Sequence, residues 1–173
     1  MAGIGYNQRD EPICASRQHD GDRLPPRVAA GRQLCIRCRN QVEENLVELP
    51  ALYELCAHML DMRHHIREQA GDHGARGTEL TDTVVAIRSD ILGVLASWCG
   101  LVTGERGVTG PDELSIRRLT SFLAIHLSWL TEHTAAPDFA DELAELASTA
   151  RDVLRHDIEP RGSMFEPASR RET

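Results

Sequence analysis

The chain contains no lysine; all nineteen of its basic residues are arginine. Aromatics make up only 4% of its 173 residues, so aliphatic side chains must fill the core. No apolar run reads as long enough to span a bilayer, and no membrane partner is expected. Residues Met1 to Glu11 lack the apolar stretch of an export signal. Positive charge is also in deficit, with 19 basic against 27 acidic residues and a net charge of −8. That balance argues against a general affinity for nucleic acid or anionic lipid. Phosphate-binding loops, G-x-S-x-G elbows and dinucleotide fingerprints are all missing. The chain is therefore expected to act by binding rather than as an enzyme.

What is present begins with cysteine. There are five, Cys14, Cys35, Cys38, Cys56 and Cys99. An odd count without an export signal points to a reducing, cytoplasmic setting, where cysteines bind metal or sit in a core. Cys35 and Cys38 have two residues between them, a spacing that puts two thiolates on one metal ion. Gly31 ahead of them supplies backbone freedom for the turn. Upstream, Cys14 and His19 complete a Cys3His set suited to a structural zinc ion. His19 is the least secure ligand, with Asp20 and His64 as alternatives. Residues 14–34 carry Asp20-Gly21-Asp22 and Pro25-Pro26 and show no helical or strand period, so they need such a staple. One or two short strands are expected beside the knuckle. A thioredoxin-like redox role is disfavoured, because no βαβ pattern surrounds the motif.

Downstream the apolar spacing is helical, and an all-α fold of about five helices is expected. A first helix should start near Cys35 and carry Ile36, Val42, Leu46 and Leu49 to about Glu48. Pro50 should stop or kink it. A second helix should carry Leu52, Leu55, Cys56, Leu60 and Met62 to about Arg63. Three glycines between Gly71 and Gly77 suggest a flexible linker over 63–80. A third helix, capped by Ser89 or Asp90, should place Ile91, Leu95, Trp98 and Val102 on one face. A fourth should run from about Ser115 to His133, with Leu119, Phe122, Leu123, His126, Trp129, Leu130 and His133 forming an inner stripe. A fifth should open at Pro137-Asp138 and reach about residue 158, with Phe139, Leu143, Leu146, Ala150 and Val153 as its seam. The implied organisation is a disordered 1–13, a zinc module and bent helix pair over 14–62, the linker 63–80, a three-helix body over 81–158 and a disordered tail over 159–173.

The run Gly31-x-x-Leu34-Cys35-x-x-Cys38-x-x-x-Val42 resembles the second knuckle of treble-clef zinc fingers, where the last two ligands come from a helix N-terminus. Three stretches resemble uncharacterised zinc-finger proteins of actinobacterial phages and prophages. They are Leu34–Cys38 with Leu46–Tyr53, Ser89–Trp98, and Phe122–Leu130, and the likeness covers about residues 30–157. It implies a zinc-bearing head on a helical body in a bacterial host, and little about activity. Many of those proteins carry further cysteine pairs near the C-terminus, whereas this chain has none after Cys99. The first ligand pair also departs from the usual CxxC, with CxxxxH in its place.

The other constellations favour plainer readings. Cys56 and His58 face different directions on a helix, and Cys56 is expected in the core. His64, His65 and His73 read as solvated linker residues. His126 and His133 read as polar members of a helix interface, since no HExxH accompanies them. Charge is uneven along the chain: residues 1–45 hold seven Arg and six acids, while residues 46–173 hold twelve Arg and twenty-one acids. The leading expectation is an accessory protein that binds a protein partner through its acidic helices. The alternative is a nucleic-acid-binding transcriptional regulator that contacts phosphate through Arg32, Arg37 and Arg39 near the knuckle.

Overall fold

The computed structural model describes residues 12–70 and 75–158. The fold is all-α, with helices α1 (Ile36–Ala70), α2 (Ala75–Arg106), α3 (Ile116–Ile125), α4 (Leu127–Leu130) and α5 (Ala136–Ile158). Among the described residues the only β pairing is an isolated antiparallel bridge between Ile13 and Arg27. Pro12 and Ile13, which the sequence places in a disordered end, thus belong to the folded head. The rest of that end, and the tail over 159–173, lie outside the described residues.

α1 and α2 form a central pair, with α3 packed on one side and α5 on the other. Arg88 of α2 stacks over Tyr53 of α1, while Val84 packs with Cys56 and Met59, so the two helices are antiparallel. α5 is antiparallel to α2: Trp98 meets Phe139 at one end and Val84 meets Val153 and Leu154 at the other. α3 runs parallel to α2: Cys99 reaches the Leu119 carbonyl at 3.7 Å, and seven residues on in both segments Arg106 bonds His126. One buried cluster threads the whole assembly, from Cys14 and Leu34 in the head through Leu49, Ile91 and Leu95 to Phe139 and Leu143.

Pro50 neither stops nor divides the first helix; it lies inside α1, which continues for 35 residues. A proline there removes one backbone hydrogen bond and costs about 3 kcal/mol. Burial on both sides of it outweighs that cost: Leu46 and Leu49 before it, and Leu52 and Cys56 after it, are all buried. The expected inner face is narrower than read, since Ile36, Leu55 and Met62 are exposed. The span expected as a linker is largely helical, because α1 reaches Ala70 and α2 begins at Ala75. Only 71–74 within it lie outside the described residues. Leu60 of α1 and Leu80 of α2 pack on the Cys56–Met59–Val84 cluster, which holds the two helices together on the way into this hairpin.

α2 also corrects the reading that no run is long enough to cross a membrane. By length and composition, Glu79–Arg106 is long and apolar enough to do so. In this fold it is a bundle helix, with Ile87, Ile91, Leu95, Trp98 and Val102 buried. Ser89 and Asp90 lie inside α2 rather than capping it. The expected fourth helix is broken at His126, whose φ of −99° and ψ of 7° leave helical space. Its N–H is shared between the carbonyls of Phe122 and Leu123, and α4 ends at Leu130 rather than His133. α5 begins within a residue of the expected position.

Candidate metal centre

Residues 12–34 have little apolar side chain to bury beyond Cys14, Val28 and Leu34. Backbone bonds shape them into a loop. Cys14 N–H donates to Pro26 O (2.8 Å), Val28 N–H to Pro12 O (2.8 Å) and Ala15 N–H to Gln33 O (3.0 Å). A short 3-10 turn, Arg17–His19, is capped by Ser16, whose Oγ accepts from the Gln18 N–H. The turn aims His19 inward. Gly31 has φ of 83°, a left-handed conformation that glycine adopts without strain, and it turns the chain into Leu34 and Cys35.

Cys35 directly precedes α1 and Cys38 lies in its first turn. Cys35 Sγ accepts from the Cys38 N–H at 3.5 Å, as an N-capping oxygen would, so the helix N-terminus favours a thiolate there. Cys14 Sγ accepts from the Cys35 N–H at 3.2 Å. The ligand atoms of Cys14, His19, Cys35 and Cys38 all lie within 4.8 Å of one another, and all four residues are buried. Cys14 Sγ is 3.8 Å from Cys38 Sγ. His19 Nε2 is 3.1 Å from Cys38 Sγ and 3.4 Å from Cys35 Sγ. A tetrahedron with metal–sulfur bonds of about 2.3 Å and a metal–nitrogen bond of about 2.0 Å has edges of roughly 3.5–3.8 Å. The cluster therefore has the size of a tetrahedral metal site.

The charge balance points the same way. Burial pushes the Cys35 thiol up, but the Cys38 N–H and the side chains of His19, Cys38 and Cys14 outweigh it and bring it down to about 7. Burial, with repulsion from Cys14 and Cys35, pushes the Cys38 thiol up to about 12. One negative charge is thus favoured in this pocket and a second is opposed. A divalent cation removes that opposition, since metal ligation deprotonates a thiol outright.

His19 Nδ1 lies 2.8 Å from Asp22 Oδ2, and this bond is the largest cause of the raised His19 pKa. With Nδ1–H donating to the carboxylate, the Nε2 lone pair faces the three sulfurs. A carboxylate behind a ligating histidine orients the ring and raises its basicity. The Asp22 N–H bonds back to His19 O at 2.9 Å, and that tight turn brings the carboxylate into place. His19, not Asp20 or His64, is therefore the residue gathered with the three cysteines. Asp22 was not singled out from the sequence, although it stands in the Asp20-Gly21-Asp22 turn three residues after His19.

A second group missed in the sequence is Asp141 of α5. It is buried and takes three bonds from the head: Ser16 Oγ at 2.7 Å, Arg17 N–H at 3.0 Å and Arg17 Nε at 3.1 Å. These residues lie between Cys14 and His19 of the cluster, so Asp141 latches the cluster loop to the helical body. Its only sequence context is an acidic helix, where nothing separates it from Asp138 or Glu145.

Arg37 is exposed, Arg39 is half-buried, and Arg32 lies 4.0 Å from Glu132. Cys56 and Cys99 are buried away from the cluster, and burial pushes both thiols up. His126 and His133 are half-buried at the end of α2, not on an inner stripe. His126 Nδ1 accepts from Arg106, and His133 Nε2 lies 2.8 Å from Glu105. Scans of the chain against protein-family models, curated proteins and solved structures found no match.

Proposed function

We propose that the chain holds one structural zinc ion at its Cys3His cluster and works by binding a partner protein through its acidic helical surface. The observation that carries this reading is the closed, buried ligand set. Four protein ligands complete a tetrahedral sphere and leave no position for a substrate or an activated water. Three thiolates and one imidazole suit zinc, which is borderline-soft and has no geometric demand of its own. The metal then explains how the head is held, and function passes to the surface that the head helps to build. α5 presents Asp138, Glu145 and Asp152 to solvent, in line with the acidic balance of residues 46–173. Near the knuckle, by contrast, Arg17 is engaged by Asp141 and Arg32 approaches Glu132, which weakens a phosphate-binding reading. The role of an accessory protein of phage or prophage type is supported by the resemblance of the three sequence stretches.

The test uses the full chain purified with its metal. Cross-linking in an actinobacterial lysate, followed by reconstitution with purified components, should give a stoichiometric protein complex that survives nuclease treatment. A mobility shift with DNA or RNA that weakens with salt and with Arg37→Ala, and no protein complex, would establish the nucleic-acid reading instead.

A further inference from the structure

An open groove of about 320 Å³ runs between α2 and α5. Ile87, Val94 and Leu146 supply apolar lining, and Asp90, Glu142 and Glu145 supply carboxylates; none of its lining residues is basic. Asp90 and Glu145 are exposed. Glu142 is already oriented, because Trp98 Nε1 donates to its Oε2 at 2.8 Å. The neighbouring α1–α5 seam is closed by Arg151, whose guanidinium bonds Glu48 and Asn45. The α2–α5 seam is instead bridged at one end of the groove, by the Trp98–Glu142 hydrogen bond.

The lining runs from Ile87 to Val94 on one helix and from Glu142 to Thr149 on the other. Each segment spans about 10 Å, or two helical turns. The two helices are antiparallel, so the seam is a trough into which a third helix packs by ridges and grooves.

We infer that this groove docks a basic amphipathic helix of the partner protein. The inference rests on the protein-binding reading above and names the partner's chemistry. Apolar residues at i, i+3 or i+4, and i+7 of that helix sit over Val94 and Leu146, the half-buried apolar residues of the groove. Arginine or lysine residues flanking that stripe meet Asp90, Glu142 and Glu145. The carboxylates attract and select a cationic partner and speed its arrival, while the apolar contacts at Val94 and Leu146 set its register.

The experiment selects from a displayed library of 20-residue helical peptides, randomised at apolar and charged positions, against the full metal-loaded chain. Selected peptides are then synthesised and titrated by fluorescence anisotropy. The inference expects peptides with the i, i+3/i+4, i+7 apolar stripe and a clear excess of Arg and Lys. It expects binding to weaken with salt, and to weaken by about tenfold or more with the surface double variant Asp90→Arg, Glu145→Arg. Val94→Glu should abolish binding. Circular dichroism and metal content, unchanged in both variants, exclude misfolding as the cause; if Val94→Glu misfolds, the surface double variant alone decides. Binders that survive the groove variants, or that lack basic residues, overturn the groove and leave the protein-binding reading standing. A library that yields no binder overturns the groove; a nucleic-acid complex in the mobility shift besides overturns the protein-binding reading as well.

Discussion

Replacing Asp141 by alanine should loosen the metal loop from the helical body. The Asp141 side chain is 6% exposed, and it accepts from Ser16 Oγ, the Arg17 N–H and Arg17 Nε. The Arg17 side chain is 68% exposed, so its guanidinium returns to water when the carboxylate goes, and the ion pair itself contributes little. The Ser16 hydroxyl and the Arg17 N–H are different. Ser16 is 2% exposed, and its hydroxyl loses its carboxylate acceptor. A buried donor left without a partner costs about 1–3 kcal/mol; the Ser16 hydroxyl keeps Cys38 Sγ within reach and water can enter beside the Arg17 N–H, so the loss should be about 1–3 kcal/mol in all. Urea unfolding of the metal-loaded protein measures it, as a lower midpoint with an unchanged slope. Chelator-driven metal release, followed by absorbance, should be faster in the same variant, because Ser16 and Arg17 sit between two ligands. Arg17→Ala should change both readouts far less. A loss under about 0.5 kcal/mol for Asp141→Ala, with unaltered metal release, would refute the latch.

The other expectations are simpler to state. Gly31→Ala should cost about 1–2 kcal/mol, because φ of 83° strains any L side chain and no neighbour lies within 4 Å of the new Cβ to offset it; Gly21→Ala, at a site without positive φ, should be near neutral in the same unfolding assay. Arg151 holds the Glu48 carboxyl below the usual glutamate range. A depressed folded value contributes stability that is full above the unfolded value and is lost as pH falls through the folded one. Glu48→Gln should therefore flatten the acid limb of a stability-versus-pH curve and leave the alkaline limb unchanged; an unaltered acid limb counts against the pair. Cys56→Ser and Cys99→Ser should lower stability without loss of metal, because both thiols are buried in the helical body.

The Cys3His cluster was legible because its chemistry is local. A CxxC ahead of a helix, with a cysteine and a histidine in a loop that has few other core residues, leaves few alternatives. α5 was legible for a similar reason, since its apolar steps of three and four repeat without interruption from Phe139 to Val153. The long hairpin was not. Pro50 is a strong local breaker, and local signals overestimate it when flanking turns bury their faces on the same partner; Gly77 likewise falls inside α2. Leu49 and Leu52 hold α1 through the proline, and the Cys56–Met59–Val84 cluster holds the two long helices together beyond it. Asp141 and Asp22 were invisible for another reason. A carboxylate becomes a latch or a ligand's support only through where the fold sets it, and an acidic helix or turn looks the same in sequence whether or not it has that duty.

The central claim is that Cys14, His19, Cys35 and Cys38 hold one structural metal ion, and metal analysis of the purified full chain tests it most directly. Elemental analysis, paired with cobalt substitution, should find one zinc per chain and a tetrahedral, thiolate-rich cobalt spectrum. Both should vanish with Cys35→Ser or Cys38→Ser, together with the folded signals of the head, and persist with Cys56→Ser. A native protein with no bound metal, in which Cys14, Cys35 and Cys38 all react freely with a thiol reagent, would contradict the account.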